Sequence, residues 1–111
     1  MNIEEFRDYC LSLPDATEKM PFTQFHGANN TLVFYIHGKS FCYIHIEKFD
    51  SCMIKGYPET IISLKERYGC VGNPSHFGVK HWMNIRFNED MDDETLKDLI
   101  KHSYEIVKNK R

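Results

Sequence analysis

The chain has no apolar run long enough to cross a bilayer, which takes about 20 residues in a helix. It also has no internal repeat, no low-complexity tract and no linker-like stretch, so its 111 residues read as a single domain over 1–111. The four cysteines, Cys10, Cys42, Cys52 and Cys70, form no C-x-x-C pair, which removes the common zinc and redox spacings. Cys42 and His45 on one strand would face opposite ways, so neither a metal site nor a cofactor is expected. Gly69-Cys70-Val71-Gly72 lacks the spacing and the lysine of a phosphate loop. No sign of charge dominates: 14 basic and 16 acidic residues leave a net charge of -2. That excludes a surface uniformly attractive to nucleic acid, but not a local basic patch, because salt screens charges beyond about 8 Å. The start, Met1-Asn2-Ile3-Glu4-Glu5-Phe6, is acidic and helical in character. A cytoplasmic protein with reduced thiols and no membrane contact is therefore expected.

What is present is a series of periodic segments with clear punctuation. Asn2 and Glu5, three residues apart, make a capping-box signature. Ile3, Phe6, Cys10 and Leu13 then recur at helical spacing, and Pro14 stops the helix near residue 12. Residues 18–25 read as extended, with Pro21 permitting only an edge or irregular strand, and Gly27-Ala28-Asn29-Asn30 as a loop. β-Branched and aromatic residues fill 31–37 and 41–46, joined by a hairpin turn at His37-Gly38-Lys39-Ser40. A turn near Lys48-Phe49-Asp50 leads into a strand at about 51–55. Pro58 suits the first residue of a helix that turns Ile61, Ile62, Leu64 and Tyr68 inward and stops at Gly69. A glycine-rich loop to Val79 precedes a strand at 81–87. Asp92 or Asp93 caps a long last helix that buries Leu96, Leu99, Ile100, Tyr104 and Val107. Met20, Met53 and Met83 read as core fillers. This order implies an α+β domain: a two-layer sandwich of one antiparallel sheet of about five strands with three helices on one face.

Strand alternation sorts the side chains. Met83, Ile85 and Phe87 turn inward and leave Trp82, Asn84 and Arg86 on the other face; Leu32, Phe34 and Ile36 turn inward and leave Val33, Tyr35 and His37. On 41–46, Cys42, Ile44 and Ile46 inward would place Phe41, Tyr43 and His45 outward. Lys55 joins the outer set from the next strand. The open face then carries Tyr35, Tyr43, Trp82, Lys55 and Arg86. Rings for stacking and cations for phosphate are the parts of a single-strand nucleic-acid platform. The same residues also suit a solvated sheet face stabilised by cross-strand pairs.

Several short motifs stand in order along the chain: Pro21-Phe22, Gly38-Lys39-Ser40-Phe41, Ile54-Lys55 before Pro58, Lys80-His81-Trp82, and Ser103-Tyr104 before Val107. In these the chain resembles the MmcQ/YjbR family over nearly its whole length. The resemblance implies an α+β fold similar to type III secretion chaperones and CyaY-like folds. It also implies DNA binding through a double-wing arrangement of β-hairpins. Carried onto this chain, the wings would be the hairpin at Gly38-Lys39 and the turn at Lys48-Phe49.

Three classes of function follow. In the first, a nucleic-acid-binding module, Lys39, Lys55, Lys80 and Arg86 neutralise phosphates while Trp82, Tyr35 and Tyr43 stack. The second is a protein-interaction or chaperone-like adaptor using the same face, where Trp, Tyr and Arg suit binding hot spots. The third is an enzyme, with His81 as base or Cys70 as nucleophile. Neither has an orienting partner in the sequence, and His81 shares strand parity with Met83 and Ile85, as a partly buried histidine would. No catalytic activity is expected, and the chain is expected to be a monomer.

Overall fold

Chain punctuation sets the elements. The computed structural model describes residues 1–20, 30–75 and 77–110. Helix α1 (Ile3–Ser12) opens on the capping box: Asn2 Oδ1 accepts from the Glu5 N–H at 2.8 Å, and Glu5 Oε1 accepts from the Asn2 N–H at 2.9 Å. Strands β1 (Thr17–Lys19), β2 (Thr31–Ile36), β3 (Lys39–His45) and β4 (Ser51–Lys55) then run as an antiparallel meander. Pro58 is the first residue of α2 (Pro58–Arg67). Two short strands follow, β5 (Val71–Gly72) and β6 (Trp82–Arg86), and then α3 (Asp93–Asn109), whose N-cap Asp92 accepts from the Thr95 N–H at 2.8 Å. The remainder of the extended stretch expected over 18–25, with Pro21, and the loop at 27–29 lie outside the described residues.

The sheet has six strands in the order β1-β2-β3-β4-β6-β5. The strand beyond the expected five is β5, whose two residues are too few to leave a periodic signal. All three helices feed one core. Phe6 and Cys10 of α1, Ile61 of α2, and Leu96, Ile100, Tyr104 and Val107 of α3 are buried with the inward residues of the sheet. Ile62, expected to face inward, is 60% exposed, because the buried stripe of this short helix narrows to Ile61. Val33, expected outward, is fully buried yet stands outside the core cluster. Met53 is a half-buried residue of the open sheet face rather than a core filler. No helix of the described residues is long and apolar enough to cross a membrane.

One irregularity organises the end of the sheet where β2 turns into β3. The turn itself is tight, with His37 and Gly38 both at positive φ (51° and 78°), as a two-residue hairpin of matching twist requires. Beyond it Tyr35 pairs with Ser40 but Phe34 pairs with Cys42, so Phe41 is an extra residue in β3. Such a bulge resets the alternation of the strand. Phe41, expected on the outer face, is therefore fully buried beside Cys42 and meets the Tyr104 ring edge-on at 5.5 Å.

The bulge also interrupts the ladder to β4. The register Cys42↔Ile54 would place Phe41 opposite Lys55, yet the two backbones do not bond directly. Instead the buried Ser103 hydroxyl of α3 stands between them. It accepts from the Lys55 N–H at 2.8 Å and donates to the Phe41 carbonyl at 2.6 Å. One turn-face neighbour, Tyr104, donates its hydroxyl to the Pro14 carbonyl at 2.6 Å. The last helix is thus fastened to the sheet by polar bonds as well as by apolar burial.

Ser103→Ala strands a partly buried N–H and a buried carbonyl, and a loss of about 1–3 kcal/mol is expected. Urea unfolding measures it. A loss under about 0.5 kcal/mol, the range of an ordinary surface change, would mean that β3 and β4 close up without the hydroxyl.

Candidate nucleic-acid interface

Next to the bulge, at the hairpin end of the sheet, lies a groove of about 380 Å³. Its walls come from Tyr35, Lys39, Lys55 and Trp82 of the sheet and from Val107 and Lys110 at the end of α3. Lys55 and Trp82 are directly opposite in the β4–β6 register, so their side chains leave the sheet on the same face. The Lys55 ammonium rides over the indole at 5.5 Å from the ring centroid, a cation–π contact.

The electrostatics of this groove are unbalanced. Burial lowers the Lys55 pKa, and the nearby charges of Lys110 and then Lys39 lower it further. Among the described residues no carboxylate forms an ion pair with Lys39, Lys55 or Lys110. Three cations therefore share one concave site with no paired carboxylate among the described residues, and an anion entering it relieves the repulsion felt by Lys55.

An aromatic cluster supports the groove from beside it. Trp82, Tyr43 and Phe77 pack ring to ring, at 5.6 Å for Tyr43–Trp82, 4.7 Å for Tyr43–Phe77 and 5.0 Å for Phe77–Trp82. The Tyr43 hydroxyl donates to Ser40 Oγ at 2.8 Å. That bond depends on the bulge, which brings Ser40 to the same face as Tyr35. Tyr43 is thus a buttress under Trp82. Tyr35 and Trp82, both half-buried, are the rings that border the groove itself.

The remaining site residues expected from the sequence are placed elsewhere. Arg86 lies at the far end of β6, about 13 Å along the strand from Trp82 at 3.3 Å per residue. It is occupied there, pairing with Glu89 at 2.8 Å and donating to the Gly69 carbonyl at 2.7 Å. Lys80 is exposed on the turn before β6 and does not border the groove. The two expected wings also diverge. The Gly38-Lys39 hairpin borders the groove, whereas Phe49 packs into the core against Phe6 and Phe87, at 5.5 and 4.6 Å, at the opposite end of the sheet. His81 is exposed rather than partly buried, because β6 begins one residue later at Trp82 and strand parity does not reach it.

Cys70 is fully buried, and burial, reinforced by its bond to Asp90, pushes its thiol up to about 11. A thiol held protonated at neutral pH is a poor nucleophile. Its partner Asp90 accepts the Gly69 and Cys70 N–H groups at 2.6 and 3.1 Å, clamping the start of β5. Cys10, Cys42 and Cys52 meet in the core, where burial and their mutual hydrogen bonds raise the Cys42 thiol. Among the described residues no group of three or more His, Cys, Asp or Glu is placed to hold a metal ion.

Sequence reasoning missed two residues of this region. Lys110 was visible only as part of a basic helix end; its place over Lys55 depends on the length and tilt of α3. Phe77 falls in the glycine-rich loop, where no periodicity says which way a ring turns.

Comparison with known proteins places the chain. The YjbR family model matches residues 11–106, and the chain belongs to the YjbR family. Its fold is similar to the crystal structure of a Deinococcus radiodurans protein with a DUF419 domain. The TM-score is 0.84 at 25% identity, over 98% of this chain and 80% of that one. A Pseudomonas syringae protein is similar in its crystal structure, with a TM-score of 0.77 at 21% identity over 96% and 99% of the two chains. A solution structure of a Pseudomonas syringae protein gives 0.74 at 21% identity, over 100% and 98%. No curated protein matches the chain.

The lysine cluster has a pH signature. Lys110→Gln removes the larger of the two repulsions and is expected to raise the Lys55 pKa, read from the Lys55 side-chain shift in an NMR titration. An unchanged value would show that the two charges do not share the groove. In the native protein the folded Lys55 pKa lies below its ordinary 10.5, so the unfolded chain binds the proton more tightly. Stability therefore rises with pH between the folded value and 10.5, as the charged cluster discharges.

Proposed function

We propose that this YjbR-family protein binds single-stranded nucleic acid, DNA first among the candidates, in the groove between the β2–β3 hairpin and the end of α3. The observation that carries this reading is the convergence of Lys39, Lys55 and Lys110, without a carboxylate partner among the described residues, beside the rings of Tyr35 and Trp82. Phosphate answers the uncompensated charge, and a base answers the rings, because every base has a face to stack. The geometry supports one hairpin as a contact element rather than two wings. The reading assigns no catalytic step.

The net charge of -2 does not oppose it. The acidic run from Glu89 to Glu94 lies at the start of α3, and the groove lies at its end. Seventeen helical residues separate the two by about 25 Å, roughly three screening lengths at physiological salt.

A second reading, an adaptor that takes a protein segment on the same face, draws on Tyr57, 49% exposed near the groove and of a residue type common at hot spots. Salt separates the two. Anisotropy of labelled oligothymidylate should show log affinity falling against log salt with a slope of about −2, at roughly 0.7 per neutralised phosphate for three lysines. Trp82→Ala should weaken binding roughly five- to 150-fold, the equivalent of one stacked base at about 1–3 kcal/mol. Arg86→Ala should leave affinity unchanged. A flat salt response, or an equal loss from Arg86→Ala, contradicts the groove assignment.

A further inference from the structure

Beyond Lys55 and Lys110 the surface continues into a second hollow of about 270 Å³, whose walls include these same two lysines together with Tyr57, His81 and Asn109. We infer that the two hollows form one site for a dinucleotide step, with the linking phosphate between Lys55 and Lys110 and one base in each hollow. This rests on the nucleic-acid reading above and specifies its ligand.

The order of groups along the surface supports the inference. Tyr35 and Trp82 lie on one side of the shared lysines, and Tyr57 and His81 on the other. Ring, cation, ring is the complement of base, phosphate, base. Each hollow alone falls near or below the lower end of ordinary small-ligand sites, about 300–1,000 Å³, and so suits one unit of such a ligand rather than a whole oligonucleotide. Asn109 provides an amide in the second hollow and Ser40 a hydroxyl in the first, both suited to base or sugar edges.

Tyr57 is the residue that the fold itself does not explain. It is the N-cap of α2, a position favoured by Ser, Thr, Asp and Asn, whose side chains bond the first free N–H groups. Tyr57 makes no such bond. The following Pro58 holds it in the extended conformation (φ -76°, ψ 148°). The ring is 49% exposed and meets His102 edge-on at 5.6 Å. The opposite wall is tied to it through the ladder, because the Gly56 N–H donates to the His81 carbonyl at 3.0 Å. An exposed tyrosine and an exposed histidine thus stand beside two lysines, with one backbone hydrogen bond joining their segments.

The test compares thymidylyl-thymidine (one linking phosphate, two bases) with thymidine monophosphate, alongside a twelve-residue oligothymidylate. The dinucleotide carries less charge, so charge alone would favour the mononucleotide. The expected result is that the dinucleotide binds native protein at least about fivefold more tightly, a second stack adding about 1–3 kcal/mol. Tyr57→Ala and His81→Ala should each remove most of that preference, and Tyr57→Phe should keep it. Near-native thermal unfolding of each variant confirms that it is folded, and His81, exposed on a turn, provides the variant with least effect on the fold. Equal affinity for the two small ligands, or full preference in both alanine variants, overturns the dinucleotide site while oligothymidylate binding leaves the groove reading standing. Absence of oligothymidylate binding to native protein overturns both.

Discussion

A single buried hydroxyl holds the hairpin end of the sheet in shape. Ser103 stands where β3 and β4 would otherwise exchange a backbone hydrogen bond, accepting from Lys55 and donating to Phe41. Because a buried backbone group without a partner is costly, the sheet keeps this geometry only while α3 lies in one position along it. The extra residue in β3 makes room for that arrangement. Phe41 turns into the core against Tyr104, Ser40 turns out to receive the Tyr43 hydroxyl, and Tyr43 in turn supports Trp82. The same placement of α3 carries Lys110 over Lys55. Core packing, sheet irregularity and the charge of the groove therefore form one linked arrangement.

The helix also separates charge. Its start gathers Asp92, Asp93 and Glu94, which complement the positive end of the helix dipole, and Asp92 is held below its ordinary value of 3.8 by its bonds to Thr95. Glu89 and Asp90 are occupied just before it, with Arg86 and with the N–H groups of Gly69 and Cys70. Acidic residues thus do structural work at one end of the domain. At the other end burial lowers the Lys55 pKa, and the charges of Lys110 and Lys39 lower it further.

Much of this was legible in the sequence, and the reasons for the rest are local. The capping box at Asn2, Pro58 at the first position of α2 and Asp92 before α3 each rest on hydrogen-bonding rules that need no tertiary information. Strand parity placed Trp82, Tyr35, Tyr43 and Lys55 on one face because each lies in a stretch that the bulge at Phe41 does not put out of step. Parity failed at Phe41, where a bulge resets it, and at His81, which precedes the strand. It also said nothing about position along a strand. Arg86 shares a face with Trp82 yet lies at the other end of it, paired to Glu89. Lys110 and Ser103 join the site through the packing of α3, which no pattern of single residues encodes.

The most direct measurement is an amide chemical-shift map of the protein with a short oligothymidylate. The account predicts that perturbations gather at Tyr35 to Ser40, Lys55 to Tyr57, His81 to Trp82 and the last two turns of α3. Arg86, β5 and the turn at Lys48-Phe49 should stay unmoved. Perturbations centred on those latter segments, or no saturable shift at all, would contradict the groove as the binding site.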